Sequence, residues 1–279
     1  MTSELIAIVL GLGVGGALGA LGGGGSTLAV PILVFVAGLS VQDATLASLL
    51  VVGVAALFGA SEHFRRGNAR LGVGVAFGVA GIVGSRIGLL LNRSLDENTL
   101  LIAFALLIAF VALRMFRSTS SSEDAVDSTD PESVPSSGAP VATIVRPAAT
   151  RRPALSMSAL VKLAVAATLV GLLTGLFGVG GGFAVVPALT LLLGYPTKEA
   201  IGTSLVVIAV NAAVALGMRV GDISIEWAVV GPFLATVTAG VIVGTRLSAG
   251  IEAHRLTRAF AVMLGMVALY TAASTVVGP

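Results

Sequence analysis

The stretch Gly19-Ala20-Leu21-Gly22-Gly23-Gly24-Gly25-Ser26-Thr27-Leu28-Ala29-Val30-Pro31 decides how this chain is read. An apolar run enters it as a helix and cannot continue as one, because each glycine costs about 1 kcal/mol relative to alanine in a helix interior. The same punctuation returns as Gly175-Leu176-Phe177-Gly178-Val179-Gly180-Gly181-Gly182-Phe183-Ala184-Val185-Val186-Pro187. Placing Pro31 on Pro187 also aligns Gly38 with Gly194, Asp43 with Glu199 and Ser48 with Ser204 without a gap. After a small shift Gly84-Ser85-Arg86 meets Gly244-Thr245-Arg246. The first offset then returns, pairing Ala103-Phe104 with Ala259-Phe260. The chain is an internal repeat built around two broken helices.

Composition fixes where those helices sit. The 279 residues are 56% hydrophobic and 11% charged, with a mean hydropathy of +1.03, against roughly 25% charged in soluble chains. This is a membrane composition. Aromatics at 5% leave too few residues for the girdles of an outer-membrane barrel. The absence of cysteine excludes disulfides, thiolate metal sites and cysteine nucleophiles. A pI near 9.5 could suggest nucleic acid, but the arginines stand in short clusters beside apolar segments, which is the pattern of topology determinants. Met1 to Leu10 carries Glu4 and no basic n-region, so the first segment is expected to be retained, not cleaved.

Ten apolar runs follow: 5–21, 26–39, 44–59, 71–91, 100–115, 160–177, 183–194, 200–218, 227–247 and 256–271. Two of them, 26–39 and 183–194, fall short of the ~17–25 residues a spanning helix needs, and each holds a proline. They are expected as half-helices or re-entrant segments. Ser118 to Met157, rich in Ser, Pro and acids, lacks the apolar surface to order itself. The expected organisation is therefore a first transmembrane repeat over 1–117, a flexible polar linker over 118–157 and a second repeat over 158–279. The fold class is an all-α polytopic membrane protein of about 8 to 10 segments, each repeat a glycine-broken helix pair plus three spanning helices.

Loop charges orient the halves. The loop after the third run is basic in the first half (Arg65, Arg66, Arg70) and holds only Arg219 in the second; the loop after the fourth run reverses this. With the repeats inverted and the linker inside, thirteen of the sixteen Lys/Arg face the cytoplasm, all but Arg86, Arg93 and Arg219. With the repeats in one orientation, Arg86, Arg93, Lys198, Arg246, Arg255 and Arg258 go outside and ten remain inside. The positive-inside rule favours inversion, in a cell membrane with the linker cytoplasmic.

A helix restarting after each glycine run points its free N–H groups and positive dipole end into the gap, which suits an anion. The candidate substrate-binding residues are Gly22, Gly23, Gly24, Gly25, Ser26 and Thr27 in the first half and Gly178, Gly180, Gly181 and Gly182 in the second. The third run of each half adds Ser48, and Thr203, Ser204 and Asn211. Paired interruptions at matching places in two halves are the best sequence pointer to a transporter site. The plainer reading of membrane glycines is close helix packing, which suits the spaced Gly11, Gly15, Gly72 and Gly240 better than the runs. Asn211 serves equally as a ligand donor or an interhelical hydrogen bond. Ser40-Val41-Gln42-Asp43 reads as a capping box, and Glu199 holds the matching place as a cap or a proton-coupling carboxylate. Arg86 and Arg246 are expected to snorkel. His63 and His254 are expected to be solvated loop residues, and Glu62 to mark the membrane edge. Gly11-Leu12-Gly13-Val14-Gly15-Gly16 fits GxGxxG but follows no strand, and no P-loop is present through which the chain could itself hydrolyse ATP, so coupling to an ion gradient or facilitated flux is expected.

The paired motifs Gly22-Gly23-Gly24-Gly25-Ser26 to Pro31 and Gly178-Val179-Gly180-Gly181-Gly182 to Pro187 resemble the sulfite exporter TauE/SafE family of membrane transporters. Gly194-Tyr195-Pro196-Thr197-Lys198-Glu199-Ala200-Ile201-Gly202-Thr203-Ser204 strengthens the likeness, which covers the chain outside the linker. The resemblance implies a plasma-membrane permease for sulfite, sulfonates or carboxylates with about eight membrane helices. The sequence departs from strict symmetry where Leu46-Ala47-Ser48 stands for Gly202-Thr203-Ser204, so a hydroxyl pair is better supported in the second half. The expectation is a secondary anion transporter working by alternating access, with no catalytic residue, metal or cofactor implied. Its partners would be the anion, the bilayer and a coupling proton or cation, not nucleic acid; a homodimer is compatible. An enzyme would need a catalytic constellation the runs do not hold. A channel or a scaffold subunit without carrier activity is the alternative.

Overall fold

A computed structural model describes residues 2–35, 37–92, 94, 97–127, 157–177, 182–217 and 225–277. Among them the chain is helical throughout. Helix α1 (Thr2–Leu21) ends at Gly22, whose backbone (φ 79°, ψ −128°) is the mirror image of extended structure and is open to glycine alone. A single 3-10 turn, Gly23–Gly25, leads into the short α2 (Ser26–Phe35). Then come α3 (Val41–Arg65), α4 (Leu71–Asn92) and α5 (Glu97–Asp127). The second half repeats this as α6 (Met157–Phe177), α7 (Gly182–Pro187), α8 (Thr197–Gly217), α9 (Trp227–Ala249) and α10 (Ala253–Val277). Helix α7 continues as a wider π-helical turn, Ala188–Leu192, directly after Pro187, which has no N–H to give the α ladder.

Both short apolar runs are helical, as half-length segments. At about 1.5 Å per residue, the ten residues of α2 rise ~15 Å, half of a bilayer core. Helix α5 runs ten residues beyond the boundary read for the linker, to Asp127. Extending a helix already nucleated by its apolar part adds one hydrogen bond for each residue fixed. The rest of that linker, 128–156, lies outside the described residues.

Among the described residues five helices are long and apolar enough to cross a membrane: Gln42–Arg65, Leu71–Asn92, Leu160–Phe177, Thr197–Gly217 and Trp227–Ala249. Burial separates them. In α3 and α8, 61% of the span is buried, against 33%, 22% and 39% in α4, α6 and α9, so α3 and α8 form the centre. The outer helices carry large apolar side chains on their exposed faces, among them Val83, Leu90, Phe110, Val165, Leu247 and Leu269. An apolar outer wall of this kind needs lipid, not water, around it.

The pairing of the helices is reciprocal between the halves. Helix α1 packs on α9 as α6 packs on α4, while α3 packs on α8 and α5 on α10. Glycines set the closeness. Gly11, Gly15 and Gly19 meet Thr236, Val237 and Val241 in ascending order, so α1 and α9 run parallel. Gly81, Gly84 and Gly88 meet Ala167, Thr168 and Leu172, so α4 and α6 do the same. Where α3 crosses α8, Gly53 faces Ala212 and Gly59 faces Leu205, an antiparallel arrangement. Gly11, Gly15 and Gly240 thus serve close packing, whereas nothing stands within 4 Å of a Cβ at Gly72.

Candidate functional site

The two glycine breaks come together. A Cβ on Gly23 would collide with the backbone of Gly182, and one on Gly182 would stand 2.8 Å from Gly23 Cα and 3.0 Å from Ile208 Cδ1. Backbone from one half thus lies against backbone from the other. Beside this contact, a Cβ on Gly22 would reach within 2.5 Å of Ser204 Oγ and 2.9 Å of Val186 Cγ2. Gly25 is held from below by Val14 and Leu18 of α1. The first N–H groups of a helix have no partner within it, so the Gly23–Gly25 turn is where α2 offers donors. Gly178, Gly180 and Gly181 lie outside the described residues; α6 stops at Phe177 just before them and α7 starts at Gly182 just after.

The expected hydroxyls are less free than their residue types suggest. Ser26 Oγ donates to Gly23 O at 2.7 Å, Ser48 Oγ to Thr45 O at 2.8 Å and Ser204 Oγ to Ile201 O at 2.7 Å. Each has turned its proton back into its own helix, leaving lone pairs outward. Thr203 Oγ1 accepts from the Arg70 backbone N–H at 3.1 Å. Thr27 lies in α2, and nothing is described of its side chain or of the surroundings of Gly24.

Position divides the remaining candidates. The antiparallel register of α3 and α8 puts Ser48 opposite the C-terminal end of α8, about a dozen residues or ~18 Å along the helix from Ser204. Asn211 is half-buried two turns beyond Ser204, with its Oδ1 3.5 Å from the place of a Cβ on Gly78 in α4. Among the described residues the convergent set is therefore Gly22, Gly23, Gly182 and Ser204, with Thr203 one residue away facing Arg70.

One end of the molecule is basic and tied across the halves. Arg70, entering α4, donates through Nε to Glu199 Oε2 at 2.7 Å, and its guanidinium lies 4.8 Å over the ring of Tyr195. Arg66 pairs with Glu62 at 2.6 Å and donates to Thr245 O at 3.1 Å, and Lys198 donates to Ala249 O at 3.1 Å. Glu62 is therefore ion-paired in the last turn of α3. Glu199 is no simple counterpart of Asp43. The Asp43 N–H donates to Ser40 Oγ at 3.2 Å in the expected cap, whereas the Glu199 carboxylate reaches the other half. At the opposite end a cavity of about 340 Å³ is lined by Asp43, Ala47, Glu226 and Val230.

His63 corrects the sequence reading most sharply. It is 5% exposed in the last turn of α3, its Nε2 3.4 Å from Gly19 O, which also accepts from Thr245 Oγ1 at 3.3 Å. The signal was present. Ala56, Ala60 and His63 fall at i, i+4 and i+7, which continues the buried stripe of α3 through the histidine. His254 likewise lies in a helix, at the start of α10, with Nδ1 3.4 Å from Glu252. Among the described residues no group of three His, Asp or Glu is placed to hold a metal ion.

Residues 7–271 match the family described as Sulfite exporter TauE/SafE. Two probable membrane transporter proteins of Xylella fastidiosa strains are 30% and 31% identical to this chain, each alignment covering 97% of it and 96% of the relative. A probable membrane transporter protein of Bacillus subtilis is 25% identical over 95% of this chain and 94% of its own length. No solved structure matches. A helical chain with paired glycine breaks meeting between its halves, matched from residue 7 to 271, belongs to the sulfite exporter TauE/SafE family.

Proposed function

We propose that this chain is a multi-pass secondary transporter of small anions, of the sulfite, sulfonate or small carboxylate class, working by alternating access. The observation that carries the reading is the contact of Gly23 with Gly182 beside Ser204. Two interrupted helices meet there, one from each half, at a depth where exposed backbone is tolerable only if it lines a site. The binding groups are the N–H donors of Gly23 to Gly25 and their counterparts from Gly178 to Gly182, with Ser204 beside them and Thr203 and Asn211 along the same helix.

Parallel α1 with α9, parallel α4 with α6 and antiparallel α3 with α8 support two repeats of opposite orientation in the bilayer. The crowding of Arg66, Arg70 and Lys198 at one end supports a cytoplasmic basic face, with the linker beside it. The tied basic end and the cavity at Asp43 and Glu226 support a carrier closed toward the cytoplasm. Rocking one half against the other would exchange the two. Sulfite enters through the family's description and transport through the relatives' names.

Uptake of radiolabelled sulfite into proteoliposomes tests this. Saturable uptake, competed by ethanesulfonate or acetate, is expected. Flux rising linearly with concentration would indicate a channel, and no flux of any of these anions would refute the reading.

A further inference from the structure

His63 has no part in the anion site just described, yet it is buried against that site's supports. Its Cβ lies 2.8 Å from where a Cβ on Gly202 would stand, next to Thr203 and Ser204. Its Nε2 faces Gly19 O, three residues before the break at Gly22. With that nitrogen carrying its proton toward the carbonyl, Nδ1 is a bare acceptor, and it finds no hydrogen-bond partner among the described residues.

The ring borders an enclosure of about 10 Å³, the size of one water molecule, which Arg66, Asn68, Lys198 and Thr245 also line. Ile201 lines it too, and the Ile201 Cα lies 3.5 Å from the place of a Cβ on Gly22, so enclosure and break share a wall.

The charges around the ring are lopsided. On α3, Arg66 is paired with Glu62 and Arg65 is exposed. From α8 come Lys198, which donates to the Ala249 carbonyl, and Glu199, which is taken by Arg70 of α4. From α9 comes Arg246, which is exposed. On α10, Arg255 and His254 lie against Glu252. The carboxylates are spoken for and the surplus is positive. An anion at the adjoining break is bound more tightly by a charged ring than by a neutral one, and the ring in turn holds its proton more tightly beside the anion.

We infer that His63 is the proton-coupling residue of this carrier, taking up a proton when the anion binds, so that anion and proton cross together in the same direction. The inference rests on the anion-carrier reading above. Linkage makes the effect reciprocal: the anion raises the proton affinity of His63, and the proton raises the affinity for the anion.

The test is calorimetric titration of the purified full-length chain with ethanesulfonate, which stays a monoanion while sulfite itself exchanges protons near neutrality. The titration is run across about pH 5 to 8, the range of an imidazole, in buffers of different ionisation enthalpy. Proton uptake rising toward one per anion is expected between the free and the anion-bound titrations of the ring, with affinity falling by up to about tenfold per pH unit across that window and flat on either side of it. The variant His63→Gln should bind with less than about a twofold change across the same range. Wild-type affinity independent of pH, or the same slope in the variant, overturns the inference and leaves the carrier reading standing. If the variant does not fold, the wild-type proton count decides, and a count of zero overturns the inference. Failure of ethanesulfonate, sulfite and acetate all to bind at any pH overturns the carrier reading itself, and the inference with it.

Discussion

Removing Arg70 should open the basic end. The side chain makes a charge-assisted hydrogen bond to Glu199 at 2.7 Å and stacks 4.8 Å over Tyr195, and both partners belong to the other half. A hydrogen bond to a charged group contributes about 1.5–3 kcal/mol and an exposed cation–π contact about 0.5–1 kcal/mol. The side chains of Arg70 and Glu199 are 30% and 18% exposed, so solvent screening takes back part of this. A net ~1–2 kcal/mol in favour of the closed end remains, and Arg70→Ala should raise the open population about five- to thirtyfold. The backbone bond from Arg70 N to Thr203 survives the substitution, so the change reports the side chain.

The chain has no cysteine, which gives a clean background for labelling. Ile201→Cys, 1% exposed in this closed arrangement, would be probed with an impermeant maleimide in inside-out vesicles. Its labelling rate should rise by that factor in Arg70→Ala and return toward the parent rate in the charge-reversed pair Arg70→Glu, Glu199→Arg. A rate within twofold of the parent in Arg70→Ala, at equal labelling after denaturation, would refute the latch.

Two further substitutions read the glycines. A Cβ at Gly84 would meet the backbone of Thr168 and lie 2.8 Å from Leu172 N, so Gly84→Val should part α4 from α6 and lower the thermal midpoint of the detergent-solubilised protein. Gly72→Ala meets nothing and should leave that midpoint within the effect of ~0.5 kcal/mol typical of surface changes. Gly22→Ala imposes a backbone conformation closed to side chains, at about 1–3 kcal/mol, and drives a methyl against Ser204. Sulfite flux should fall well before expression does, whereas Gly194→Asn, at φ 69° with open space around it, should transport normally.

What the sequence makes legible is what depends on the backbone alone. The break at Gly22, the restart at Ser26 and Gly182 and the half-length of α2 all follow from glycine's helix cost and from length, and the structure has each in place. The cap at Ser40 and Asp43 is equally local. Long-range partners are not legible. Arg70 reads as one more loop arginine, because nothing in its neighbourhood reveals that Glu199 and Tyr195, a half-chain away, will be folded onto it. His63 reads as a loop residue because the apolar run ends at Gly59, just before the polar Ser61 and Glu62, although helical spacing carries the buried face another turn. The hydroxyls promise more than they deliver for a related reason. Residue type reveals that Ser26, Ser48 and Ser204 can donate, but only the helix reveals that each finds a carbonyl three residues back.

Those spent hydroxyls bear on how the site selects. With the protons of Ser26 and Ser204 turned inward, what remains at the meeting point among the described residues is the backbone of Gly22, Gly23 and Gly182, none of which has room for a side chain. Backbone donors cannot be moved by rotamer changes, so on the proposed function such a site would discriminate by the size of the anion and by which carrier state brings both breaks around it. It holds no fixed cation within the convergent set Gly22, Gly23, Gly182 and Ser204. The cations stand outside it at the basic end, where Arg70 ties the halves together and Lys198 and Arg66 border His63. Binding that depends on neutral dipoles is weaker than binding by a buried arginine, and a carrier needs that weakness, because an anion held by a buried arginine would leave slowly. On the proposed function the charge would act on the gate and on the proton and the dipoles on the cargo, a division that would let one arrangement of helices close behind an anion without trapping it.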